Sequence, residues 1–242
     1  LDTMPKLLAR NVSKFGDSPA FREKDLGIWQ TWTWKASSEE VKKLSKGLIK
    51  LGVQEGDHVA VIGRNRPSLY WSLLACQHIG AIPVPLYQDA VAEEMEYILS
   101  HCGASFAIVG DQEQVDKILE ISDRLKGFKD IVFVDPKGLR KYDKKNLHSI
   151  ADILEIGSGD SAELDKELKR RVEKVIGDTT CVLLYTSGTT GKSKGVVQTH
   201  RAIIGASGGA NQHDSWTHDD YLLSYLPMAW VGDFMISVAQ GM

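Results

Sequence analysis

Tyr185-Thr186-Ser187-Gly188-Thr189-Thr190-Gly191-Lys192-Ser193-Lys194-Gly195 separates two apolar runs, Cys181–Leu184 before it and Val196-Val197 after it. The stretch therefore reads as a loop between two strands. Glycines let a backbone come close to a ligand and turn its N–H groups toward an anion. Thr186, Ser187, Thr189 and Thr190 add hydroxyl donors, and Lys192 and Lys194 add positive charge. A plain polar hairpin tip explains the stretch less well, because it holds no acid and no Asn-Gly or Asp-Gly turn. Phosphate is the ligand that such a loop suits.

Upstream of the loop, short apolar runs alternate with helical patterns. Val59-Ala60-Val61-Ile62, Phe106-Ala107-Ile108-Val109 and Ile131-Val132-Phe133-Val134 are of the kind buried on both faces of a parallel sheet. Ala81–Leu86 is extended too, and Pro83 and Pro85 place it at a sheet edge or sheet end. Between these runs lie a helix beginning at Pro67, one from Ala92 to Cys102 closed by Gly103, and one from Gln112 to Lys126. The repeat predicts an α/β fold of mostly parallel sheets flanked by helices on both faces, with right-handed crossovers.

Nearer the N-terminus, Met4, Leu7, Leu8, Val12 and Phe15 share one helical face, modest enough to pack on the main body rather than on a membrane. Gly27–Trp34 reads as a half-buried strand paired with Ala20-Phe21-Arg22, its three tryptophans directed at the core. Ser37 and Glu40 form a capping-box pattern ahead of Val41, Leu44, Leu48 and Leu51, with Gly52 as the stop. Residues 136–145 read as a solvated loop, and Ser161–Ile176 as a charged helix. Beyond the loop, Thr199 caps a helix from His200 that Gly205–Gly209 would loosen. Tyr221–Leu226 reads as a strand ended by Pro227, and Asp233–Met242 as a helix.

Composition narrows the class. A chain of 242 residues, 43% hydrophobic and 25% charged, can bury a sizeable core. A net charge of −3 with mixed signs predicts no nucleic-acid partner. Cys76, Cys102 and Cys181 have no paired spacing and sit among apolar neighbours, as reduced thiols do in a cytoplasmic protein. No run of about 18 apolar residues marks a membrane span. The seven histidines lack metal-ligand spacing apart from a loose His213/His218 pair, so zinc is not expected.

Gly191-Lys192-Ser193 fits the end of the nucleotide-triphosphatase loop G-x-x-x-x-G-K-[ST], but Thr186 stands where its first glycine belongs. That loop also opens a helix, whereas Gly195-Val196-Val197-Gln198 has strand character. The stretch instead resembles the Y-T-S-G-[ST]-T-G-x-P-K-G pattern of the adenylate-forming enzymes, which include acyl-CoA synthetases, luciferases and adenylation domains. Only Ser193, in place of proline, departs from it. Leu226-Pro227-Met228-Ala229-Trp230 resembles a second motif of that superfamily, with Trp230 replacing the usual histidine. Asp57–Asn65 is similar to its G-D-x-V-A-I-x-x-x-N segment, and Gly80–Tyr87 to the G-A-x-x-V-P-L-Y of bacterial long-chain-fatty-acid–CoA ligases.

The resemblance implies the N-terminal part of a ligase's large domain, truncated before the adenine and ribose motifs, the hinge and the C-terminal domain with its catalytic lysine. It implies an N-terminal subdomain over 1–176 and the start of a nucleotide-binding region over 177–242. The implied chemistry is attack of a carboxylate, from a fatty acid, on ATP to give an acyl-adenylate and pyrophosphate, then transfer to CoA. Thr186, Ser187, Gly188, Thr189, Thr190, Gly191 and Lys194 would hold phosphates, with Lys192 a helper at most. Thr186 would also reach Mg2+, and Trp230 would form an apolar wall beside the acyl group, although an ordinary core position would equally explain a tryptophan there. Such a fragment is expected to be inactive alone. The resemblance leaves open peripheral membrane contact in the parent protein. An adenylation module loading a carrier protein, and a non-catalytic domain binding an anion or a partner, are the alternatives.

Overall fold

The computed structural model describes residues 1–143, 145–186 and 192–242. Its centre is a five-stranded parallel sheet of order β4-β3-β5-β6-β7, formed by β3 (His58–Ile62), β4 (Ile82–Leu86), β5 (Phe106–Val109), β6 (Asp130–Phe133) and β7 (Leu147–Ser149). The middle strands β3 and β5 are buried throughout except at His58, as runs without polar alternation require. The helices α3 (Pro67–His78), α4 (Ala92–Cys102) and α5 (Gln112–Ile121) connect them. Two apolar clusters result, one holding Val59 and Val61 of β3 and the other Ala60 and Ile62, so the sheet is covered on both faces.

Pro83 and Pro85 explain where the sheet stops. Ile82 N–H donates to the Asp57 carbonyl at 2.8 Å, so alternate residues of β4 bond inward to β3 and the prolines face outward. With no donors on that edge, the ladder cannot continue. The strand β8 (Thr180–Thr186) lies against β4, yet pairs only with β9 (Lys194–Thr199), antiparallel, with Thr186 opposite Lys194. The loop stretch thus does join two strands, as its flanking runs predict.

At the carboxyl ends of β3 and β5, Gly63 and Gly110 touch. A Cβ on Gly63 would sit 2.7 Å from Leu69 Cδ1 and 3.1 Å from Gly110 Cα. Only glycine permits that approach.

The N-terminal helix α1 (Met4–Phe15) buries Met4, Leu7 and Leu8 against the body, as its stripe predicts. The hairpin of β1 (Pro19–Asp25) and β2 (Ile28–Thr33) is antiparallel. Its tryptophans divide: Trp32 packs edge-on against Trp71 at 5.4 Å, but Trp29 is 57% exposed and lies beside Arg22 and Lys24. Period two explains the difference, since Trp29 is out of phase with Trp32. The next helix, α2 (Trp34–Leu51), starts earlier than the capping-box pattern implies. The Thr33 side chain accepts from Ala36 N–H at 3.1 Å, while Ser37 lies buried inside the helix. Gly52 ends it in the left-handed conformation, as expected.

Further differences are local. After Ile121 a short 3-10 turn over Ser122–Arg124 replaces the last helical residues. The segment of 136–145 contains such a turn as well, with Leu139 buried, and leads into β7 and α6 (Ile150–Ser158), both too short for periodicity to announce. The charged helix α7 (Ala162–Lys174) is where its pattern puts it. The helix α8 (His200–Asp214) is capped by Thr199 but runs through its glycines, which meet open space at 205, 208 and 209. Tyr221–Leu226 forms no strand, because it has no partner among the described residues. The chain then turns into α9 (Val231–Asp233), continued by a wider π-helical stretch, Phe234–Gln240.

Two packing details yield predictions. Gly47 of α2 and Gly157 of α6 face the partner helix's backbone so closely that a Cβ on either would run into the Ile153 or Lys43 carbonyl. Gly47→Ala should therefore lower the unfolding free energy by about 1–3 kcal/mol, read from urea denaturation. His200 is fully buried, and its Nδ1 accepts from Met4 N–H at 3.2 Å. His78 donates from Nδ1 to the Leu74 carbonyl at 2.7 Å. Burial pushes both imidazoles down to about 4. The unfolded chain takes up those protons first, so stability should fall as the pH drops from about 6.5 toward 4. His200→Gln, which keeps an acceptor for Met4, should flatten part of that fall in urea midpoints measured between pH 7 and pH 5 (roughly the window above carboxylate titration).

Candidate functional site

The loop grows out of β8 and returns into β9. Thr186, the last residue of β8, is exposed, and Lys194, the first of β9, is exposed directly across from it. Cross-strand pairing thus brings together the two ends of the glycine-rich stretch. Among the described residues no carboxylate lies within ion-pairing distance of Lys194. Ser187, Gly188, Thr189, Thr190 and Gly191 lie outside the described residues.

Helix α4 grips both flanks of that loop. His101 Nδ1 is 2.6 Å from the Tyr185 hydroxyl on the β8 side. One turn earlier on α4, the Tyr97 hydroxyl donates to the Ser193 carbonyl at 3.1 Å on the β9 side. The Lys192 ammonium sits 5.5 Å from the Tyr97 ring centroid, over its face. Burial holds the Tyr185 phenol well above its usual range, so it remains a neutral hydrogen-bonding group. Lys192 is thereby engaged with protein, and among the described residues Lys194 has no such partner.

A separate crevice of about 270 Å³ opens at the carboxyl ends of β3 and β4. It is lined on one side by Asn65, Tyr87 and Asp89, and on the other by Ser224, Leu226 and Met228. Open α/β sheets place ligands at such strand ends. Two stretches far apart in sequence, Asp57–Asn65 and Leu226–Trp230, therefore meet at one crevice. Trp230 is 49% exposed and is no core residue. The Tyr87 phenol, near the Trp230 side chain, is raised above its usual range chiefly by burial. No polar contact among the described residues joins Trp230 to Thr186 or Lys194.

Behind the crevice wall lies a buried carboxylate that no sequence pattern announces. Asp233 is fully buried. It accepts from the Tyr70 hydroxyl at 2.9 Å, Ser237 at 2.7 Å and Ser224 at 3.1 Å. Burial, with the nearby Asp233 charge, keeps the Tyr70 phenol far above its usual range and thus a donor. The Asn65 amide donates to Ser224 Oγ at 2.9 Å and to the Leu226 carbonyl at 2.7 Å. The asparagine singled out in the Asp57–Asn65 segment therefore ties the second motif to the sheet. The only signal for Asp233 is an acid at the start of an otherwise apolar helix, which is too common to single it out.

The AMP-binding enzyme family model matches residues 8–242. Among curated relatives, the long-chain-fatty-acid–CoA ligase ACSBG2 of Mus musculus is 31% identical over 95% of this chain and 34% of its own length. The Xenopus laevis ACSBG2 ligase is 28% identical over 98% of this chain and 32% of its own. The chain thus spans about a third of the length of these relatives. Among solved structures, acetoacetyl-CoA synthetase from Streptomyces lividans superposes with a TM-score of 0.83 at 19% identity, covering 99% of this chain and 37% of that one. A long-chain-fatty-acid–CoA ligase from Archaeoglobus fulgidus gives 0.78 at 21% identity, over 97% and 44%. These superpositions carry the fold, and the family match carries the relationship. The match over residues 8–242 makes this chain a member of the AMP-binding enzyme family.

Proposed function

We propose that this chain is the N-terminal part of an AMP-forming acid–thiol ligase that activates a fatty acid with ATP and passes the acyl group to CoA. The observation that carries the proposal is the β8–β9 hairpin, which pairs Thr186 with Lys194 across the two ends of a glycine-rich stretch, Lys194 having no carboxylate partner among the described residues. The similarity to fatty-acid–CoA ligases supports the choice of acid and acceptor.

Adenylate formation brings a carboxylate onto a polyanion, so the enzyme must neutralise and align the phosphates before attack. In this reading Lys194 screens the β- and γ-phosphates of the substrate, which depart together as pyrophosphate. The proposed donors Ser187, Thr189 and Thr190 and the amides of Gly188 and Gly191 complete the cradle. Thr186 offers one hydroxyl oxygen to Mg2+. The described residues hold no cluster of three or more His, Cys, Asp or Glu suited to a metal, which fits an ion held mainly by phosphates and waters. When bound, that ion would withdraw charge from the phosphate oxygens. Trp230, half-exposed beside Tyr87, provides an apolar wall for the acyl group. The boundary near residue 176 separates the sheet-bearing part from the part that carries the loop.

No helix among the described residues is long and apolar enough to cross a membrane. A cytoplasmic protein that meets its fatty acid in solution or at a membrane surface is the corresponding proposal.

Titration of the chain with MgATP tests the loop directly. Lys194→Ala should weaken binding at least ~10-fold, the worth of one charge-assisted hydrogen bond, and leave the urea midpoint unchanged. Equal binding by the variant would remove the basis of the proposal. In ATP–pyrophosphate exchange with a range of fatty acids, the 242-residue chain alone should turn over little or nothing. Exchange with a carrier protein but not CoA as final acceptor would redirect the proposal to an adenylation module.

A further inference from the structure

The polar wall of the crevice at the ends of β3 and β4 has a fixed polarity. Asn65 could in principle present either end of its amide, and ordinary geometry does not distinguish them. Its partners here do. The Leu226 carbonyl and the Asp233 carboxylate can only accept, and the amide nitrogen faces both, at 2.7 Å and 3.5 Å. The Ser224 hydroxyl has one proton, for which Asp233 Oδ1 at 3.1 Å and the adjacent Tyr70 hydroxyl compete, so toward the Asn65 nitrogen it accepts. Both amide protons of Asn65 are consequently spent inside the wall, on Ser224 and Leu226. Its Oδ1 has no partner among the described residues and is not among the buried unpaired atoms, so it is left accessible where Asn65 lines the crevice.

Asp233 backs this wall. A fully buried carboxylate without a cation is stable only when its lone pairs are filled by donors, and the Tyr70, Ser224 and Ser237 hydroxyls surround it. The Leu226 carbonyl holds the Asn65 amide in its orientation. Asp89, also lining the crevice, has no cation within ion-pairing distance among the described residues. The exposed Arg64 is the one cationic side chain of the lining.

We propose that this crevice is a subsite for a neutral ligand group bearing N–H donors, such as a carboxamide or an aromatic amino group, received by Asn65 Oδ1, with the Leu226 carbonyl setting the orientation of that amide. The proposal stands on the crevice alone and does not depend on what the glycine-rich loop binds.

The test is a titration of the 15N-labelled chain, followed by NMR, with benzamide and with N,N-dimethylbenzamide. The two probes share a ring and a carbonyl and differ in N–H donors. Benzamide should shift the signals of Asn65, Tyr87 and Leu226 at ~5-fold lower concentration than the dimethyl probe, the worth of one net hydrogen bond. The Asn65 side-chain amide protons should exchange slowly with solvent. Asn65→Ala removes the acceptor without touching the buried carboxylate and should abolish the preference. In Asp233→Asn the Leu226 carbonyl still holds the Asn65 nitrogen, so the preference should persist. Equal affinities in the unaltered chain, no shift with either probe, or a folded Asn65→Ala that keeps the preference would each overturn the proposal. Loss of MgATP binding in Lys194→Ala has no bearing on these readings, so the two proposals fail separately.

Discussion

Two prolines on one edge set the layout of this molecule. Pro83 and Pro85 occupy the outward-facing positions of β4 and deprive that edge of hydrogen-bond donors. The parallel sheet must end there. A neighbouring strand can still pack its side chains against β4, and β8 does so, with Leu183 and Tyr185 in the same apolar cluster as Val84 and Leu86. Its backbone must find a partner elsewhere, and β9 is that partner. The glycine-rich loop is the turn this arrangement creates. A loop that had to close a sixth parallel strand would need a crossover and could not bring Thr186 opposite Lys194.

Helix α4 links that loop to the crevice. It starts just after the Tyr87–Asp89 wall and ends by holding Tyr185 and Ser193 through His101 and Tyr97. Side chains four apart on one helix share a face, so a single turn reaches both flanks of the loop. The crevice has its own anchor in Asp233. A buried charge is costly to leave unmet, and here it is met by hydroxyls that line or back the crevice. The two sites thus rest on different physics, one on strand pairing and helix contacts, the other on satisfying one carboxylate.

Much of this was legible in the residues. Continuous apolar runs marked β3, β5 and β6, the prolines marked the edge strand, and Thr199 and Gly52 marked helix ends. The loop was visible as a run of glycine, hydroxyl and lysine residues between two strands, and its resemblance to the adenylate-forming enzymes agrees with the family match. The failures have specific causes. Ser37 and Glu40 look like a capping box, but Ser37 is itself buried within the first turn of the helix, and the Thr33 side chain takes the free Ala36 N–H. Tyr221–Leu226 has strand composition, yet a strand is a pairing and not a property of one segment. The phase that buries Trp32 leaves Trp29 outside. The strand β7, at three residues, is too short to show any period.

What the sequence by itself determined is the set of local choices: which runs are apolar enough to be buried strands, where glycine or proline must stand, and which stretch between strands gathers glycines, hydroxyls and lysines. These follow from periodicity and from the covalent limits of single residues, and they need no knowledge of distant contacts. Only the tertiary structure decided that Asn65 and Ser224, 159 positions apart, share a hydrogen bond. It also decided that Asp233 is buried behind them, and that α4 reaches both ends of the loop. Those are pairings across long loops, whose partners are selected by packing and by the need to satisfy buried polar groups, and neither constraint is written in any short stretch of chain.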